Sequence, residues 1–451
     1  MLYPQQNNQR NVFDLSGFWN FKLDPDGIGE TEGWFDGLTA PRTIAVPGSW
    51  NEQFQDTRDY LGAAWYVREV YIPQGWEGQR VFIRVGSANY AAKVWVNGTG
   101  IGEHEGGHLP FAFEITEFVT PGDPTTVAIR VENELKPTRV PPGNVKRGGL
   151  SSFMRNYPPT SFDFFPYAGL HRPVLLYAVP QVHIEDVTVT TDIAGADGHV
   201  KVRVVAQGAK NGEVTLNAER GAPARKCALE FDDADGVAEA TGVAEATLEV
   251  PDARFWSPDD PYLYKLTVEL LDDDKVVDRY TLDVGIRTIA VEGDTLLLNG
   301  EPIFLKGFGK HEDFPVHGRG LNMPLVVKDY ALLKWVGANS YRTSHYRYSE
   351  EAMRMADREG ILIVDEIPAV GLFFGDDEEG IQARLSQCKQ QIQELIARDK
   401  NHPSVIMWSV ANEPHTIQGN PLRSGGKPEP DPRAKVFFAE LFDRVRALDP
   451  T

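Results

Sequence analysis

The sequence predicts a multi-domain fold of β plus α/β type, in which two β-sandwiches precede the β/α units of a parallel barrel. Its 451 residues are enough for about three domains. Its 42 Gly and 31 Pro residues punctuate many short runs of β-branched and aromatic residues, as strands joined by tight turns require. After Arg287 the pattern changes to continuous apolar runs that alternate with helical segments, which predicts a parallel sheet.

Residues 1–180 predict a jelly-roll β-sandwich. Runs such as WYVREVYIP, RVFIRVG and AAKVWVNG alternate apolar and polar residues over four to eight positions. This alternation is typical of antiparallel strands that bury one face. Asn97-Gly98 predicts a hairpin turn, because both residues tolerate a positive φ.

Residues 181–285 predict an immunoglobulin-like β-sandwich. The segment has about one hundred residues and evenly spaced strand patterns, which suit that fold. Its acidic clusters, Asp232-Asp233 and Asp272–Asp274, lack the Gly and the final Glu of an EF-hand loop. They are interpreted as turns, and no metal site is expected there.

Residues 286–451 predict a hairpin at Asn299-Gly300 and then four β/α units. The predicted strands are 303–306, 339–342, 361–364 and 404–410. The predicted helices are 327–335, 350–359, 380–398 and 433–448. Because each strand is nearly continuous in apolar residues, we expect helices to cover both faces of the sheet.

Charge and composition exclude several classes of partner. The formal net charge of −20 would repel nucleic acid and anionic membranes. Cys227 and Cys388 fall in different predicted domains, so neither a disulfide nor a metal or other cofactor is expected. The chain shows no secretory signal and no apolar run long enough to span a membrane, which favours a cytoplasmic location.

Polar residues follow each of the four predicted parallel strands. The carboxyl ends of parallel strands meet on one face of a barrel, so these groups are predicted to share a pocket. Carboxylates with Asn, His and Arg favour acid/base or glycosyl chemistry over metal or serine hydrolysis. The four sets are Lys310-His311-Glu312-Asp313, Thr343-Ser344-His345-Tyr346, Asp365-Glu366 and Asn412-Glu413.

Two long segments resemble the signatures of glycoside hydrolase family 2. Residues 399–409, DKNHPSVIMWS, lead to Asn412-Glu413 and resemble its acid/base signature; residues 339–346, NSYRTSHY, continuing to Asp357 and GILIV, resemble the other. Arg347 stands where the family usually has Pro. Further segments, such as VPGSWNEQF, SFDFFPYAGLHRPV and GFGKHED, extend the resemblance over the whole chain. It is strongest to the β-glucuronidase branch, and β-galactosidases are the runner-up.

The resemblance implies a jelly-roll domain of sugar-binding type, an immunoglobulin-like domain and the first half of a (β/α)8 TIM barrel. It implies a retaining exo-glycosidase that hydrolyses β-D-glucuronides without a cofactor, commonly as a homotetramer. It assigns Glu413 as the general acid/base, and Asp163, His311 and Asn412 as sugar-binding residues. Arg342 and His345 would support the site, whereas Asp365 and Glu366 are interpreted as structural carboxylates of the barrel.

The resemblance also places two functional groups beyond Thr451. They are the second carboxylate, which a retaining mechanism needs about 5 to 5.5 Å from the first, and an Asn-x-Lys motif that reads the sugar carboxylate. The chain is therefore expected to be the N-terminal part of a longer or cleaved enzyme, or a normal enzyme whose sequence is given only in part. We do not expect the 451-residue chain to be active by itself. A β-galactosidase-type enzyme and a non-catalytic sugar-binding fragment remain alternatives.

Overall fold

The computed structural model describes residues 1–143, 160, 162, 164–218, 224–232, 241–375, 378–418 and 429–450. Two regions of antiparallel sheet precede a four-stranded parallel sheet, as the sequence predicts. In these ranges no helix has the length and apolar character needed to cross a membrane.

The first region is a sandwich of two antiparallel sheets with one shared core. The sheet orders are β1-β12-β5-β9 and β3-β2-β4-β10-β7-β8, and β11 pairs with β6. Side chains from both sheets, among them Phe21, Ile83 and Leu176, form one buried apolar cluster. The elements are β1 Asn11–Asp14, β2 Gly17–Asp24, β3 Arg42–Val46, α1 Trp50–Gln53, β4 Ala63–Tyr71, β5 Arg80–Val85, β6 Ala88–Asn89, β7 Ala91–Val96, β8 Thr99–Glu105, β9 Phe111–Glu114, β10 Pro124–Glu132, β11 Gly169–Leu170 and β12 Val174–Val179, with 3-10 turns at Trp34–Asp36, Gln55–Thr57, Gln74–Trp76 and Thr116–Phe118.

The second region is a smaller antiparallel sandwich. Its sheets have the orders β13-β14-β17 and β16-β15-β18-β19. Inward-facing residues of both sheets, such as Val202 and Leu266, share a second apolar core. The strands are β13 His183–Ala194, β14 Asp197–Gln207, β15 Asn211–Asn217, β16 Arg225–Glu230, β17 Thr241–Val250, β18 Tyr264–Asp272 and β19 Lys275–Val284.

The third region begins with a small antiparallel sheet and continues as a parallel one. The parallel sheet has the order β23-β24-β25-β26. The elements are β20 Ile289–Glu292, β21 Thr295–Leu298, β22 Glu301–Pro302, β23 Gly307–Gly309, α2 Met323–Trp335, β24 Ser340–Arg342, α3 Glu350–Glu359, β25 Leu362–Glu366, α4 Glu378–Asp399, β26 Val405–Ser409, β27 Ile417–Gln418, β28 Glu429–Pro430 and α5 Pro432–Leu448.

One predicted strand was wrong. Residues 303–306 were expected to form the first parallel strand, but that strand is Gly307–Gly309. It pairs so closely with β24 that a Cβ at Gly307 would lie 2.0 Å from the Ser340 carbonyl oxygen. Glycine is therefore required by the close approach of two backbones, against its low strand propensity.

Helix α4 joins the parallel sheet to the first sandwich through a polar face. Gln387 Nε2 donates to Glu105 Oε1 at 2.7 Å, and Gln387 Oε1 accepts from the Tyr90 hydroxyl at 3.2 Å. Two turns further along the helix, Glu394 Oε1 lies 3.0 Å from His104 Nε2. These contacts, on residues seven positions or two turns apart, fix the sandwich against one face of the helix.

Arg347 extends this interface to the loop that follows β24. Its side chain is fully buried, and its guanidinium donates to the Gln391 side-chain oxygen at 2.7 Å and to the Gln391 carbonyl at 2.5 Å. The residue that replaces the usual Pro thus holds the loop to α4 by hydrogen bonds, where a Pro would act by restricting φ.

Candidate active site

The predicted site residues lie at the C-terminal edge of the parallel sheet. Strands β23 to β26 run parallel and in order, so the segments after them converge on one edge. Each strand end carries a polar side chain. They are His311 after β23, Arg342 and His345 at and after β24, Glu366 at the end of β25, and Asn412 and Glu413 after β26.

A buried carboxylate, Glu366, is the centre of this edge. Its side chain has no exposed surface; its Oε1 lies 2.7 Å from His345 Nδ1 and its Oε2 accepts from the Ser409 hydroxyl at 2.6 Å. Arg342 Nε lies 3.4 Å from Oε2. We call Glu366, Arg342, His345, Ser409 and Asn412 the Glu366 network. Charge-assisted hydrogen bonds of this kind compensate a buried carboxylate and fix its neighbours.

Asn412 is held by both its side chain and its backbone. Arg342 Nη2 donates to Asn412 Oδ1 at 2.8 Å. The Asn412 N–H donates to the Ala369 carbonyl at 3.0 Å, and the Asn412 carbonyl accepts from the Gly371 N–H at 3.0 Å. Because Oδ1 already accepts from a guanidinium, the amide NH2 group is directed elsewhere as a donor.

Glu413 follows directly and is the exposed carboxylate of this edge. It is solvent-exposed, whereas Asn412 is buried. Its φ is 45°, in the left-handed region that costs a non-glycine residue about 1 kcal/mol or more. Backbone strain of this kind at a strand end is frequent in functional sites, because it directs a side chain out of the sheet.

His311 stands beside this network against aromatic rings. Its ring lies 5.9 Å from that of His345 in an edge-to-face arrangement and 6.0 Å from that of Phe164. The Tyr346 hydroxyl lies 3.4 Å from His311 Nδ1. The structure therefore brings His311, Arg342, His345 and Asn412 into one cluster next to Glu413.

Asp163 lies outside the described residues. Its neighbours Phe162 and Phe164 are both buried, with ring centroids 4.5 Å apart. Phe164 contacts the His311 ring, so the first sandwich reaches the edge where the other predicted site residues meet.

Two cations near this edge, Lys310 and Arg342, are already paired. Lys310 Nζ lies 2.8 Å from Asp329 Oδ2, and its ammonium group stands 4.8 Å from the centroid of the Tyr348 ring. Arg342 is engaged with Glu366 and Asn412. Neither Lys310 nor Arg342 is therefore positioned to bind an anionic group of a ligand.

Asp365 lies beneath the site as a buried carboxyl. Burial, with the Asp399 carboxylate nearby, raises the pKa of Asp365 to about 8, against an opposing effect of Arg398. Its Oδ1 accepts from the Thr343 hydroxyl at 3.0 Å, and Thr343 in turn accepts from the Glu366 N–H at 2.9 Å. Asp365 thus supports the backbone that carries Glu366, because its Oδ1 also accepts from the Glu366 N–H at 3.1 Å.

Sequence reasoning missed the importance of three groups. Glu366 was interpreted as structural, which its full burial supports, but it also contacts His345 and Arg342, and Arg342 in turn bonds Asn412. Tyr346 was predicted to share the pocket but was given no role, and Arg319, which packs on the Tyr346 and Phe164 rings, was not singled out. The signal for Tyr346 was its place directly after His345; the sequence around Arg319 gave no comparable signal.

The arrangement suits proton transfer to a hydroxyl-rich ligand. It presents one exposed carboxyl, an amide donor and an imidazole on a rigid hydrogen-bonded base. Within the described ranges no group of three or more His, Cys, Asp or Glu side chains is arranged to hold a metal ion.

Comparison with known proteins gives matches over the whole chain. Residues 12–180 match the model of the sugar binding domain of glycosyl hydrolases family 2, residues 182–287 match the model named glycosyl hydrolases family 2, and residues 289–451 match the TIM barrel domain of the same family. The predicted succession of a sugar-binding sandwich, an immunoglobulin-like sandwich and TIM-barrel units is thereby confirmed.

The relatives and solved structures described next are all named beta-glucuronidase. The chain is 41% identical to the beta-glucuronidase of Paenibacillus borealis and 40% identical to that of Rattus norvegicus, over 100% of this chain and 73% and 69% of those proteins. The crystal structure of Ruminococcus gnavus beta-glucuronidase is 38% identical, with a TM-score of 0.88 over 99% of this chain and 72% of that one. Another structure of that enzyme holds D-glucuronic acid, with 37% identity, a TM-score of 0.86 and the same coverage of both chains.

Proposed function

Because this chain belongs to glycosyl hydrolases family 2, we propose that it acts in the hydrolysis of β-D-glucuronides as a retaining exo-glycosidase. The observation that carries the proposal is the position of Glu413. This exposed carboxyl follows Asn412, which the Glu366 network holds in place. The relatives named beta-glucuronidase, and the related structure with D-glucuronic acid, support the choice of sugar.

Glu413 is the proposed general acid/base. In the first step its carboxyl group donates a proton to the glycosidic oxygen as the aglycone leaves. In the second step the resulting carboxylate accepts a proton from the water that attacks the anomeric carbon. An exposed position suits both steps, because the aglycone and the water approach from solvent.

The proposed sugar contacts follow from the hydrogen bonds already made. Asn412 Oδ1 accepts from Arg342, so its NH2 group is the donor for the sugar 2-hydroxyl oxygen. His311 and Asp163 are the other proposed sugar-binding residues. Arg342 and His345 act indirectly, by joining Asn412 to Glu366.

The nucleophile is proposed to be a carboxylate outside residues 1–451. The buried carboxylates at this edge are already engaged: Glu366 in its network, and Glu312 with the N–H and hydroxyl of Ser349 at 3.1 and 2.5 Å. Because these carboxylates are buried and already accept from several donors, neither is proposed as the nucleophile. The group that reads the sugar carboxylate is also proposed to lie outside these residues, since Lys310 and Arg342 are paired.

The first experiment compares two substrates and two preparations. Native enzyme and the purified 451-residue chain would be incubated with 4-nitrophenyl β-D-glucuronide and with the matching galactoside. We expect the native enzyme to hydrolyse the glucuronide alone and to release the β-anomer first, as NMR would detect. Faster galactoside hydrolysis, or first release of the α-anomer, would contradict the proposal. Hydrolysis by the 451-residue chain that Glu413→Gln abolishes would place the nucleophile within these residues.

The second experiment tests the role of Glu413. In the native enzyme, Glu413→Gln should lower kcat/KM for phenyl β-D-glucuronide by about 10²- to 10⁴-fold. The loss should be much smaller for the 2,4-dinitrophenyl glucuronide, since that leaving group departs without protonation. Glu301→Gln changes another exposed Glu, outside the site, and is the control. Equal losses on both substrates would exclude Glu413 as the general acid.

A further inference from the structure

Arg319, which is 4% exposed, is a buried cation whose contacts in the described ranges are with neutral groups. Its guanidinium donates to His108 Nε2 at 3.2 Å and to the Phe165 carbonyl at 3.5 Å. It stands 3.5 Å from the centroid of the Tyr346 ring and 4.6 Å from that of the Phe164 ring. No carboxylate oxygen of the described residues lies within 4.0 Å of it. Because an arginine side chain keeps its proton, this position carries a positive charge that no ion pair balances there.

The histidines beside Arg319 are uncharged. A guanidinium can only donate, so His108 Nε2 accepts from it and carries no proton. Burial lowers the pKa of His108 well below 6.5, and Arg319 is the strongest of the charges that lower it further. Burial and then Arg319 lower the pKa of His171 in the same way. Both rings therefore lie in a positive environment and add no charge of their own.

Two further buried arginines lie in the same layer, between the first sandwich and the parallel sheet. Arg172 donates to the His108 carbonyl at 2.6 Å and forms an ion pair with Glu312 at 3.3 Å. Arg347 donates to the side-chain and backbone oxygens of Gln391. Among the described residues, the guanidinium groups of this layer thus outnumber the carboxylates that pair with them.

Aromatic rings separate Arg319 from the predicted site. The Tyr346 ring lies 5.8 Å from the His311 ring, and the Phe164 ring lies 6.0 Å from it. Arg319 contacts both of these buried rings. A ring has no net charge and excludes water, so the field of the guanidinium is screened less in this direction than that of a surface charge.

Nearby carboxylates oppose this field without matching it at Tyr346. Burial raises the pKa of the Tyr346 phenol, and among the charged groups that act on this phenol Arg319 has the largest effect, which lowers the pKa. Asp313 and Glu312 act in the other direction and more weakly. Glu312 is itself paired with Arg172. Arg319 is therefore the leading charge at this wall of the site.

We propose that Arg319 is a specificity-determining residue, whose charge behind the Tyr346 and Phe164 rings favours an anionic sugar over a neutral one without touching it. The chain has a formal net charge of −20, so an anionic ligand needs a local source of positive potential. Lys310 and Arg342 are each paired with a carboxylate. The inference rests on the proposed function, because the site and the glucuronide are those proposed above.

The first test compares a charged and an uncharged sugar of similar shape. Inhibition constants of D-glucuronic acid and of D-glucuronamide would be measured against glucuronide hydrolysis by the native enzyme. Arg319→Met keeps an unbranched side chain beside the rings and removes the charge. It should raise the constant of the acid about tenfold and that of the amide by about twofold at most. Equal increases for both sugars would overturn the proposal.

Further variants separate charge from structure. Arg319→Lys keeps the charge and should hold the constant of the acid within about threefold of the unmutated value. Where Arg319→Met does not fold, Arg319→Gln replaces it, since the Gln amide can still donate to neutral acceptors. A tenfold loss for the acid alone in Arg319→Lys would contradict a role for the charge.

Arg287→Met is the matched control. The Arg287 guanidinium also donates to backbone carbonyls, those of Pro403 and Val405 at 3.0 and 2.7 Å, but it does so at the opposite end of β26. This variant should change neither inhibition constant. A selective loss for the acid in Arg287→Met would show that removing any such cation lowers the preference, which would overturn the assignment to Arg319.

The unmutated enzyme separates this inference from the proposed function. If it hydrolyses the galactoside faster than the glucuronide, the proposed function fails whatever the variants show. If it hydrolyses the glucuronide and Arg319→Met affects the acid and the amide equally, the proposed function holds and the role of Arg319 is excluded.

Discussion

The two ends of strand β26 carry polar motifs of similar composition and use them differently. Before the strand, Asp357 Oδ1 accepts from the Ser404 hydroxyl at 2.6 Å, and its Oδ2 lies 2.5 Å from His402 Nδ1. Asn401 bonds the backbone of Val187 and Val189 in the second sandwich at 2.7 and 2.8 Å. After the strand, the Glu366 network leads to Glu413, an exposed carboxyl.

The difference lies in what remains available after internal bonds are made. At the N-terminal end, His402 and Ser404 bond Asp357 of helix α3, and Asn401 joins the parallel sheet to the second sandwich. At the C-terminal end, the Glu366 network holds Asn412 through its Oδ1 atom, which leaves the Asn412 NH2 group and the Glu413 carboxyl for a ligand. One continuous sequence signature, residues 399–413, therefore combines a stability element with a functional one.

The largest expected effect is on stability, at the N-terminal end. Asp357→Ala should lower the free energy of unfolding by about 3 kcal/mol, because it leaves His402 and the buried Ser404 donors without their acceptor. Chemical denaturation followed by fluorescence would measure this loss. D-glucuronic acid binding by the folded variant should be unchanged; a weakened Kd would show that the two ends are coupled.

The next effect combines stability with function, at the C-terminal end. Glu366→Gln should cost about 2 kcal/mol of stability, because it removes the charge that Arg342 and His345 share. It should also weaken D-glucuronic acid binding about tenfold through Asn412.

The matched control for that change is Glu350→Gln. Glu350 is a buried Glu that pairs with Arg84 at 2.7 Å and is separate from the Glu366 network. It should lose similar stability and keep its affinity for D-glucuronic acid. Equal losses of affinity in both variants would mean that any buried charge supports binding, which would remove the distinction between the two ends.

The smallest expected effect is a dependence on pH. The Asp357 carboxylate raises the pKa of His402 above 6.5 despite the opposing effect of burial. A raised pKa in the folded state stabilises the protein below the unfolded value, and the stabilisation is lost as the pH rises through the folded value. Wild type should therefore exceed His402→Asn by about 1 kcal/mol at pH 6, and the gap should shrink towards pH 9. A gap that widens with pH would contradict the assignment.

The helices were predictable from sequence because their ends are encoded locally. Helix α3 spans Glu350–Glu359, as predicted, with the Ser349 hydroxyl accepting from Ala352 N and Gly360 at a φ of 71°. Strand β23 was not predictable in this way. Its Gly307 satisfies a close contact with β24, which no local preference expresses.

The same distinction applies to the site. His311, His345, Asn412 and Glu413 could be named from sequence because each follows a strand and parallel strand ends converge, whereas Arg342 was named from the resemblance. The roles of Tyr346 and Arg319 could not be predicted, since they depend on a ring and a cation that meet only in the folded chain. Glu366 shows an intermediate case, in which burial could be predicted and its hydrogen-bond partners could not.

The polar face of α4 limits how this architecture can be recombined. Gln387, Gln391 and Glu394 are matched to Glu105, Arg347 and His104, which lie in the first sandwich and in the loop after β24. A chimera that received its N-terminal sandwich from another family member would place new side chains against these three residues of α4. Buried polar groups at the interface would then lose their hydrogen-bond partners. The unit of exchange in gene shuffling is therefore the sandwich together with α4 and the Arg347 loop.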